Sequence, residues 1–255
     1  MNPQIRDWHG KRIWIIGAST GIGAEVARQL LEQGALVALS ARNQQQLSQI
    51  AQSYPHALTL PLDITDHPSV QAAHDQLLQH WGQFDLVLVV AGTYNAMRAT
   101  SFNLADANHV LDVNVRGVYQ CLAVILPTLL RQGAGGIGIV GSVAGFSGLP
   151  EALAYGPSKA AVVNLCESLY LDLRPRNIAV YMINPGFVAT PMTANNDFRM
   201  PALMTAAAAA QVLIKGMEQG QFHIHFPKRF TNWLRLARLL PYRSYFYLVH
   251  KITGL

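Results

Sequence analysis

The sequence predicts an α/β fold in which one doubly wound parallel sheet carries helices on both faces. Short runs of β-branched and aliphatic residues alternate along the chain with longer segments of helical spacing. Near-continuous apolar runs of this kind are typical of strands covered on both faces. Of the 255 residues, 51% are hydrophobic and 13% are charged, so the chain can bury a large core and disorder is excluded.

The predicted strands and helices alternate strictly through residue 183. Strands are predicted at 12–16, 36–40, 57–61, 86–90, 137–141 and 180–183. Helices are predicted near 22–33, 43–53, 67–81, 103–130 and 155–174, and an alanine run at 206–210 indicates another by propensity. Such alternation predicts parallel strands joined by crossover helices.

The net charge of +5 is unevenly distributed. Residues 221–255 contain six basic and no acidic residues, so the first 220 residues, with 13 basic and 14 acidic groups, carry a net charge of −1. The six are Lys228, Arg229, Arg235, Arg238, Arg243 and Lys251. This distribution argues against a nucleic-acid-binding face on the main body, and we expect no nucleic-acid partner.

Cysteine content and the N-terminal residues bear on the compartment. Cys121 and Cys166 are too few for a disulfide scaffold and lack the spacing of a zinc site. The apolar run at 13–16 is too short for a signal peptide, and no uninterrupted apolar run reaches the length of a membrane span. We therefore expect a cytoplasmic protein.

A glycine-rich turn joins the first strand to the first helix. Its candidate phosphate-binding residues are Gly17, Ser19, Thr20, Gly21, Ile22 and Gly23. Glycines at such a turn let the backbone approach a pyrophosphate, and the free amides of the helix N-terminus stabilise its charge. A second glycine-rich stretch at 133–138 precedes a predicted strand, so it is interpreted as a flexible loop.

The end of the second predicted strand bears on the choice of dinucleotide. An enzyme that uses NAD commonly has a carboxylate there for the adenosine ribose. This chain reads Ser40-Ala41-Arg42 instead. The planar guanidinium of Arg42 can bind the 2′-phosphate of NADP, although a lone exposed arginine is usually just solvated. The predicted cofactor is NADP.

Tyr155 and Lys159 lie four residues apart at the start of a predicted helix, so both project from one face. An ammonium beside a phenol favours the phenolate, and we expect Lys159 to lower the pKa of Tyr155 toward a useful range. Ser142 and Asn114 are polar residues within apolar stretches. Each is either a candidate catalytic residue or a core polar group whose hydrogen bonds are made within the protein.

These motifs, in this order and spacing, resemble the short-chain dehydrogenase/reductase family from about residue 11 to about residue 192. The resembling residues also include Asp63, Ala91, Gly92, Pro185, Gly186, Val188 and Thr190. A departure is Val89-Val90 before Ala91-Gly92, where the family usually has two asparagines. The departure predicts altered hydrogen bonding near the cofactor and retained activity.

The resemblance implies a Rossmann-like fold and a role for each residue. It implies that Tyr155 is the acid/base, that Lys159 binds the nicotinamide ribose, that Ser142 orients the substrate oxygen and that Asn114 organises a water in a proton relay. Asp63 would contact adenine, and residues 185–190 would hold the nicotinamide end. The resemblance also implies a homodimer or homotetramer.

The expected function is hydride transfer between NADP(H) and a carbonyl or alcohol substrate. Residues that suggest an apolar substrate are Tyr94, Met97, Phe146, Leu149, Phe187 and Met192. The alternatives are a catalytically silent dinucleotide-binding scaffold or redox-sensing regulator, and a protein whose main role is binding at a lipid surface.

Residues 221–255 form a basic, aromatic extension to a catalytic domain predicted at 1–220. Residues 222–226 alternate as a strand with His223 and His225 on one face. Two histidines could bind a metal ion, but the sequence shows no third ligand for it, so no metal is predicted. Residues 228–240 have the pattern of an amphipathic helix that Pro241 ends. This segment could bind an anionic membrane surface on its cytoplasmic side, close the substrate pocket, or pack within the domain or on another subunit.

Overall fold

The computed structural model describes residues 1–194 and 200–254. The strands are β1 Arg12–Ile16, β2 Leu36–Ser40, β3 Ala57–Thr59, β4 Leu86–Val89, β5 Gly135–Val140, β6 Ile178–Pro185, β7 Val188–Ala189, β8 Met204–Thr205 and β9 His223–Phe226. The helices are α1 Gly21–Glu32, α2 Gln44–Ala51, α3 His67–Trp81, α4 Leu104–Leu111, α5 Gly117–Gln132, α6 Tyr155–Leu173, α7 Ala206–Glu218, α8 Lys228–Ala237 and α9 Tyr242–Thr253.

Within these described residues, seven parallel strands form the main sheet in the order β3-β2-β1-β4-β5-β6-β9. The predicted doubly wound sheet is confirmed. The chain moves outward from β1 to β3 and then returns to place β4 on the other side of β1. At such a reversal the loops after the two central strands separate, which leaves a crevice at their carboxyl ends.

Two apolar cores cover the two faces of the sheet. One core packs α3, α5 and α6 against the sheet, with Leu77, Ile125 and Val162 among its buried residues. The other packs α1, α2 and α7 on the opposite face, with Leu30 and Leu213 among its buried residues. Because both faces are covered, the central strands are largely apolar, which explains the near-continuous hydrophobic runs.

Two sequence-based boundaries differ from the structure at the third and fifth strands. The third strand ends at Thr59 and not at residue 61, since Pro61 has no amide proton to donate to a ladder. The glycine-rich stretch before β5 is not a flexible loop, because residues 135–138 belong to the strand itself. A Cβ at Gly138 would lie 2.5 Å from Leu88 Cδ2, so glycine permits close packing there.

The helix predicted over 103–130 is α4 and α5 joined by a π turn at Asp112–Arg116. The whole stretch Leu104–Gln132 is long and apolar enough to cross a membrane by length and composition alone. Half of its most apolar window is buried, and Cys121 and Ile125 pack in the core against the sheet. Core packing therefore accounts for its apolar composition.

The last part of the chain begins inside the main sheet. Strand β9 pairs with β6, with Ile224 opposite Ile183 and Phe226 opposite Pro185. Helix α8 ends at Ala237, three residues before the end expected from the sequence. A further helix, α9, follows Pro241 and was not predicted.

Candidate active site

A cavity of about 610 Å³ lies at the carboxyl ends of the central strands, where the crevice is expected. The sequence-predicted cofactor residues on its wall are Gly17, Ser19, Thr20, Gly21, Ile22, Gly23, Arg42, Asp63, Ala91, Gly92, Pro185, Gly186, Val188 and Thr190. Ser142, Tyr155 and Lys159 line the same cavity. Asn114 lies behind the wall, 1% exposed.

The glycine-rich turn is shaped by contacts that exclude side chains. Gly17 has φ +99°, and a Cβ there would lie 2.4 Å from the amide nitrogen of Ala91. A Cβ at Gly23 would lie 2.1 Å from the carbonyl oxygen of Gly17. Thr20 precedes α1 without a side-chain capping hydrogen bond, so the first amides of the helix can receive an anion.

The end of β2 has the polar features expected for a phosphate-bearing nucleotide. Ser40 is buried, and its Oγ accepts a hydrogen bond of 2.8 Å from Trp14 Nε1. Arg42 is exposed and lines the cavity. Burial raises the pKa of Asp63, but hydrogen bonds from Thr65 and the charge of Arg42 outweigh it, so the pKa lies below its ordinary value.

The candidate catalytic groups converge at the start of α6. The Ser142 side chain is hydrogen-bonded to Tyr155, and the Lys159 ammonium lies 5.7 Å from the centre of the Tyr155 ring. Lys159 Nζ also donates a hydrogen bond of 3.0 Å to the carbonyl oxygen of Val140. The Tyr94 ring packs edge-on against Tyr155 at 5.1 Å between ring centres.

The ionisation of this pair differs from the sequence expectation. Burial raises the pKa of Tyr155, and the hydrogen bond from Ser142 only partly opposes that effect. Burial lowers the pKa of Lys159 from 10.5 to about 8. The expected lowering of the Tyr155 pKa by Lys159 is therefore not seen, because burial removes the water that would stabilise the phenolate.

Asn114 lies in the π turn between α4 and α5. Its Oδ1 accepts a hydrogen bond of 2.8 Å from the Thr93 amide, and its Nδ2 donates to the Thr93 carbonyl oxygen at 2.9 Å. Nδ2 also donates to Ser158 Oγ at 3.0 Å. The side chain thus joins the loop after β4 to the catalytic helix.

Several polar residues on the cavity wall were not singled out from the sequence. They are Asn43, Gln46, Thr65, Thr93, His109 and Thr193. Asn43 and Thr93 are next to predicted residues in the chain, and Thr65 is two residues from one, so a search of flanking positions would find them. His109 has no local signal, because its place on the wall depends on how α4 packs.

Of the six residues that suggested an apolar substrate, Met192 lines the cavity. Met97 and Phe146 are buried and are not among the lining residues. Phe187 packs against Phe230 of α8 at 5.9 Å between ring centres. The described residues omit 195–199, which follow Met192 in the chain.

The two histidines of β9 have protein partners. Arg235 Nη1 donates to His225 Nε2 at 3.1 Å, and His225 Nδ1 is 2.6 Å from Thr231 Oγ1. His223 Nε2 is 3.0 Å from Asn184 Nδ2. Across the described residues no group of three or more His, Cys, Asp or Glu side chains is arranged to hold a metal ion.

Comparison with known proteins identifies the family. A family model described as short chain dehydrogenase matches residues 11–200. A protein of Staphylococcus epidermidis named as an uncharacterized oxidoreductase is 33% identical over 206 residues, which cover 80% of this chain and 90% of the relative.

Two solved structures share the fold. A short-chain dehydrogenase from Burkholderia cenocepacia in complex with NADP has a TM-score of 0.84 at 22% identity, covering 95% of this chain and 98% of its own. A short-chain dehydrogenase/reductase from Burkholderia phymatum in complex with NAD has a TM-score of 0.80 at 24% identity, covering 91% of this chain and 94% of its own. With the family-model match and the oxidoreductase relative, the conclusion is that the chain belongs to the short-chain dehydrogenase/reductase family of oxidoreductases.

Proposed function

We propose that the protein is an NADP-dependent enzyme that interconverts an apolar carbonyl compound and its alcohol, with Tyr155 as the acid/base. One observation carries the proposal: Ser142, Tyr155 and Lys159 share a cavity with the glycine-rich turn and Arg42. That cavity has a phosphate-binding region and a proton donor within one connected space.

The residues present fit a nicotinamide dinucleotide. Gly17 and Gly23 keep the turn close to the sheet, and the α1 amides can receive the pyrophosphate. A Cβ at Gly92 would lie 3.2 Å from Asn114 Oδ1 and 3.3 Å from Lys159 Nζ, so glycine keeps space open in front of both. Lys159 would hold the nicotinamide ribose, and residues 185–190 the nicotinamide end.

The choice of NADP depends on this chain's own residues, because the two solved structures contain different dinucleotides. Ser40 is buried and bonded to Trp14, so no carboxylate occupies the end of β2. Arg42 provides a cation at the cavity wall, and Asp63 is held nearby by Thr65. This combination favours a 2′-phosphate over a bare ribose.

In the reducing direction the carbonyl carbon receives a hydride, which NADPH supplies when bound, and the oxygen receives a proton. The raised pKa of Tyr155 keeps its phenol protonated at neutral pH, so it can donate that proton. The Ser142 hydroxyl, bonded to Tyr155, would hold the carbonyl oxygen in place. In the oxidising direction Tyr155 must first lose its own proton before the phenolate can accept the proton of the alcohol, and the raised pKa makes that loss harder.

The test is NADPH oxidation by the purified protein, measured with a panel of ketones, aldehydes and 3-oxoacyl compounds. We expect turnover of apolar carbonyl compounds at least tenfold faster with NADPH than with NADH, roughly the value of one charge-assisted contact. Tight NADPH binding without turnover of any panel member would favour the catalytically silent scaffold or regulator.

The proposal includes a cytoplasmic homo-oligomer, a dimer or tetramer. Large apolar side chains stay exposed on the helical stretch α4 to α5, among them Leu111, Tyr119 and Leu130. A face of this kind is suited to packing against a second copy. Sedimentation velocity of the protein with Tyr119→Ser/Leu130→Ser would show dissociation to a monomer. An anionic membrane surface is also proposed as a partner of residues 221–255.

A further inference from the structure

Helices α8 and α9 lie against the segments that flank the substrate side of the cavity. Tyr245 of α9 is 7% exposed, and its hydroxyl donates a hydrogen bond of 2.7 Å to the carbonyl oxygen of Gly148. Phe230 of α8 packs against Phe187. Phe187 is one of the residues that suggested an apolar substrate, and Gly148 lies between two others, Phe146 and Leu149. The two helices therefore cover the substrate end of the enzyme.

The inner face of α8 is held by polar contacts as well as apolar ones. Thr231 is fully buried and bonds to His225, whose second ring nitrogen accepts from Arg235. Since Arg235 donates to Nε2, His225 is neutral and carries its proton on Nδ1. Arg235 therefore has a hydrogen-bond partner within the domain, but neutral His225 does not compensate its charge, so Arg235 still adds to the positive charge of this segment.

The outer surface of α8 and α9 is apolar to an unusual degree. Among the described residues, eight of the eighteen exposed large apolar side chains are in this segment. They are Trp233, Leu236, Leu239, Leu240, Tyr242, Phe246, Tyr247 and Ile252. Trp233 and Leu236 lie three residues apart on α8 and therefore share a face of the helix, and Trp233 is 71% exposed. Exposed apolar side chains grouped in this way usually mark a contact surface.

The charge of the same surface narrows the choice of partner. Lys228, Arg229, Arg238, Arg243 and Lys251 are all exposed. Residues 221–255 contain no acidic residue. A symmetric contact with a second copy would bring these like charges together at a cost in free energy. Anionic lipid headgroups complement them, while the hydrocarbon beneath accepts the aromatic and leucine side chains.

We propose that α8 and α9 attach the substrate end of the enzyme to an anionic lipid bilayer, and that the carbonyl substrate is a molecule dissolved in that bilayer. The statement about the substrate rests on the proposed function, whereas the membrane attachment does not. Phe230 adjoins the cavity wall at Gly186, where a Cβ would lie 3.2 Å from its ring, so a substrate that leaves the bilayer beside Phe230 would enter next to that wall.

Binding is tested by co-sedimentation with vesicles of phosphatidylglycerol and phosphatidylcholine in equal parts, and with vesicles of phosphatidylcholine alone. We expect binding to the anionic vesicles that weakens with salt. Trp233→Ser/Leu236→Ser and Arg238→Gln/Arg243→Gln should each reduce the bound fraction about tenfold, since one pair removes the apolar and the other the electrostatic attraction. The matched control Leu171→Ser/Arg176→Gln, exposed on α6 and the turn after it, should bind as the wild type does.

Substrate delivery is tested separately with a long-chain ketone in the same vesicles and a short, water-soluble one. The Trp233→Ser/Leu236→Ser variant should lose about tenfold in kcat/KM for the first and nothing for the second. Thermal melting and NADPH binding at wild-type values would show that the variant is folded.

Each failure has a distinct signature. Turnover of soluble ketones without vesicle binding overturns the membrane contact and leaves the proposed function standing. Vesicle binding without any turnover contradicts the proposed function and leaves the membrane contact standing. Self-association that depends on Trp233 and Leu236, without vesicle binding, would make this surface an interface between copies and also overturn the membrane contact.

Discussion

The Lys159 ammonium lies 5.7 Å from the centre of the Tyr155 ring, and Lys159 is 4% exposed. Its hydrogen bond to the Val140 carbonyl oxygen does not replace full hydration, so burial lowers the pKa of Lys159 to about 8. The enzyme without its cofactor therefore holds a cation that is close to losing its proton. The resulting pH dependence of stability and of activity can both be measured.

Replacing Lys159 with methionine should stabilise the fold at neutral pH while it impairs catalysis. The pKa of Lys159 in the fold lies below its ordinary 10.5, so the unfolded chain binds more protons between pH 8 and pH 10.5. The free-energy cost of burying the Lys159 charge applies in full below about pH 8 and disappears toward pH 10.5, where the side chain is neutral in both states. We expect Lys159→Met to raise the free energy of unfolding at pH 7 by up to about 3 kcal/mol. Urea unfolding at pH 7 and pH 10 measures this free energy. A lower free energy of unfolding for Lys159→Met than for the wild type at pH 7 would contradict the prediction.

Tyr155→Phe should lower kcat by at least about a hundredfold, the usual scale of lost acid/base catalysis. The Kd for NADPH should stay within about twofold of wild type, since the ring and its packing against Tyr94 are kept. Single-turnover NADPH oxidation and fluorescence titration measure the two quantities. Substantial turnover by this variant would remove Tyr155 from its assigned role.

Arg42→Ala should weaken NADPH binding by about ten- to a hundredfold, which corresponds to loss of a charged hydrogen bond. NADH binding should be unchanged, because NADH lacks the phosphate that Arg42 is proposed to contact. Arg176→Ala removes an exposed cation far from the cavity and provides the control. Equal Kd values for NADPH and NADH in the wild type would contradict the proposed contact between Arg42 and the 2′-phosphate.

Asn114→Ala should destabilise the protein by about 2 kcal/mol or more, because it removes a partner from the part-buried Thr93 amide and carbonyl and from the buried Ser158 hydroxyl. If Asn114 positions the loop after β4 against α6, kcat should fall further than the loss of folded protein explains. Asn114→Asp, which restores only the acceptor for the Thr93 amide, should recover part of the stability. Thermal melting beside kcat measured well below Tm separates the two effects.

A glycine pair tests the shape of the phosphate-binding turn. Gly23→Ala should destabilise the fold by about 2 kcal/mol or more, since its Cβ would lie 2.1 Å from the Gly17 carbonyl oxygen. Gly148→Ala is the control, because a Cβ there meets nothing within 4 Å. Equal melting temperatures for the two variants would mean that the turn relaxes around a side chain.

Local sequence patterns predicted the sheet and most of the cavity wall. The glycine-rich turn, Arg42 and the Tyr155–Lys159 pair each lie at the end of a strand or the start of a helix, and in a parallel sheet those positions meet at one edge. Residues from distant parts of the chain therefore converge without any need to predict packing in detail.

The features that sequence patterns did not predict depend on tertiary contacts. The π turn around Asn114 exists because one side chain satisfies the backbone of Thr93 and also Ser158. The direction of the Tyr155 pKa follows from burial, which spacing on a helix does not reveal. Helix α9 was missed because exposed aromatic residues such as Tyr242 and Phe246 do not follow a core-facing pattern.

The π turn also separates what the core requires from what the candidate site requires. A π turn contains one residue more than the α-helical path between the same ends. The extra residue lets Asn114 face Ser158 while Val110 before it and Val118 after it both stay in the core. Deleting one exposed residue such as Arg116 would restore regular α geometry and leave the apolar face of α5, including Ile125, against the sheet. The backbone around Asn114 would tighten, so the deletion would disturb the contacts of Asn114 with Thr93 and Ser158 and spare the interior.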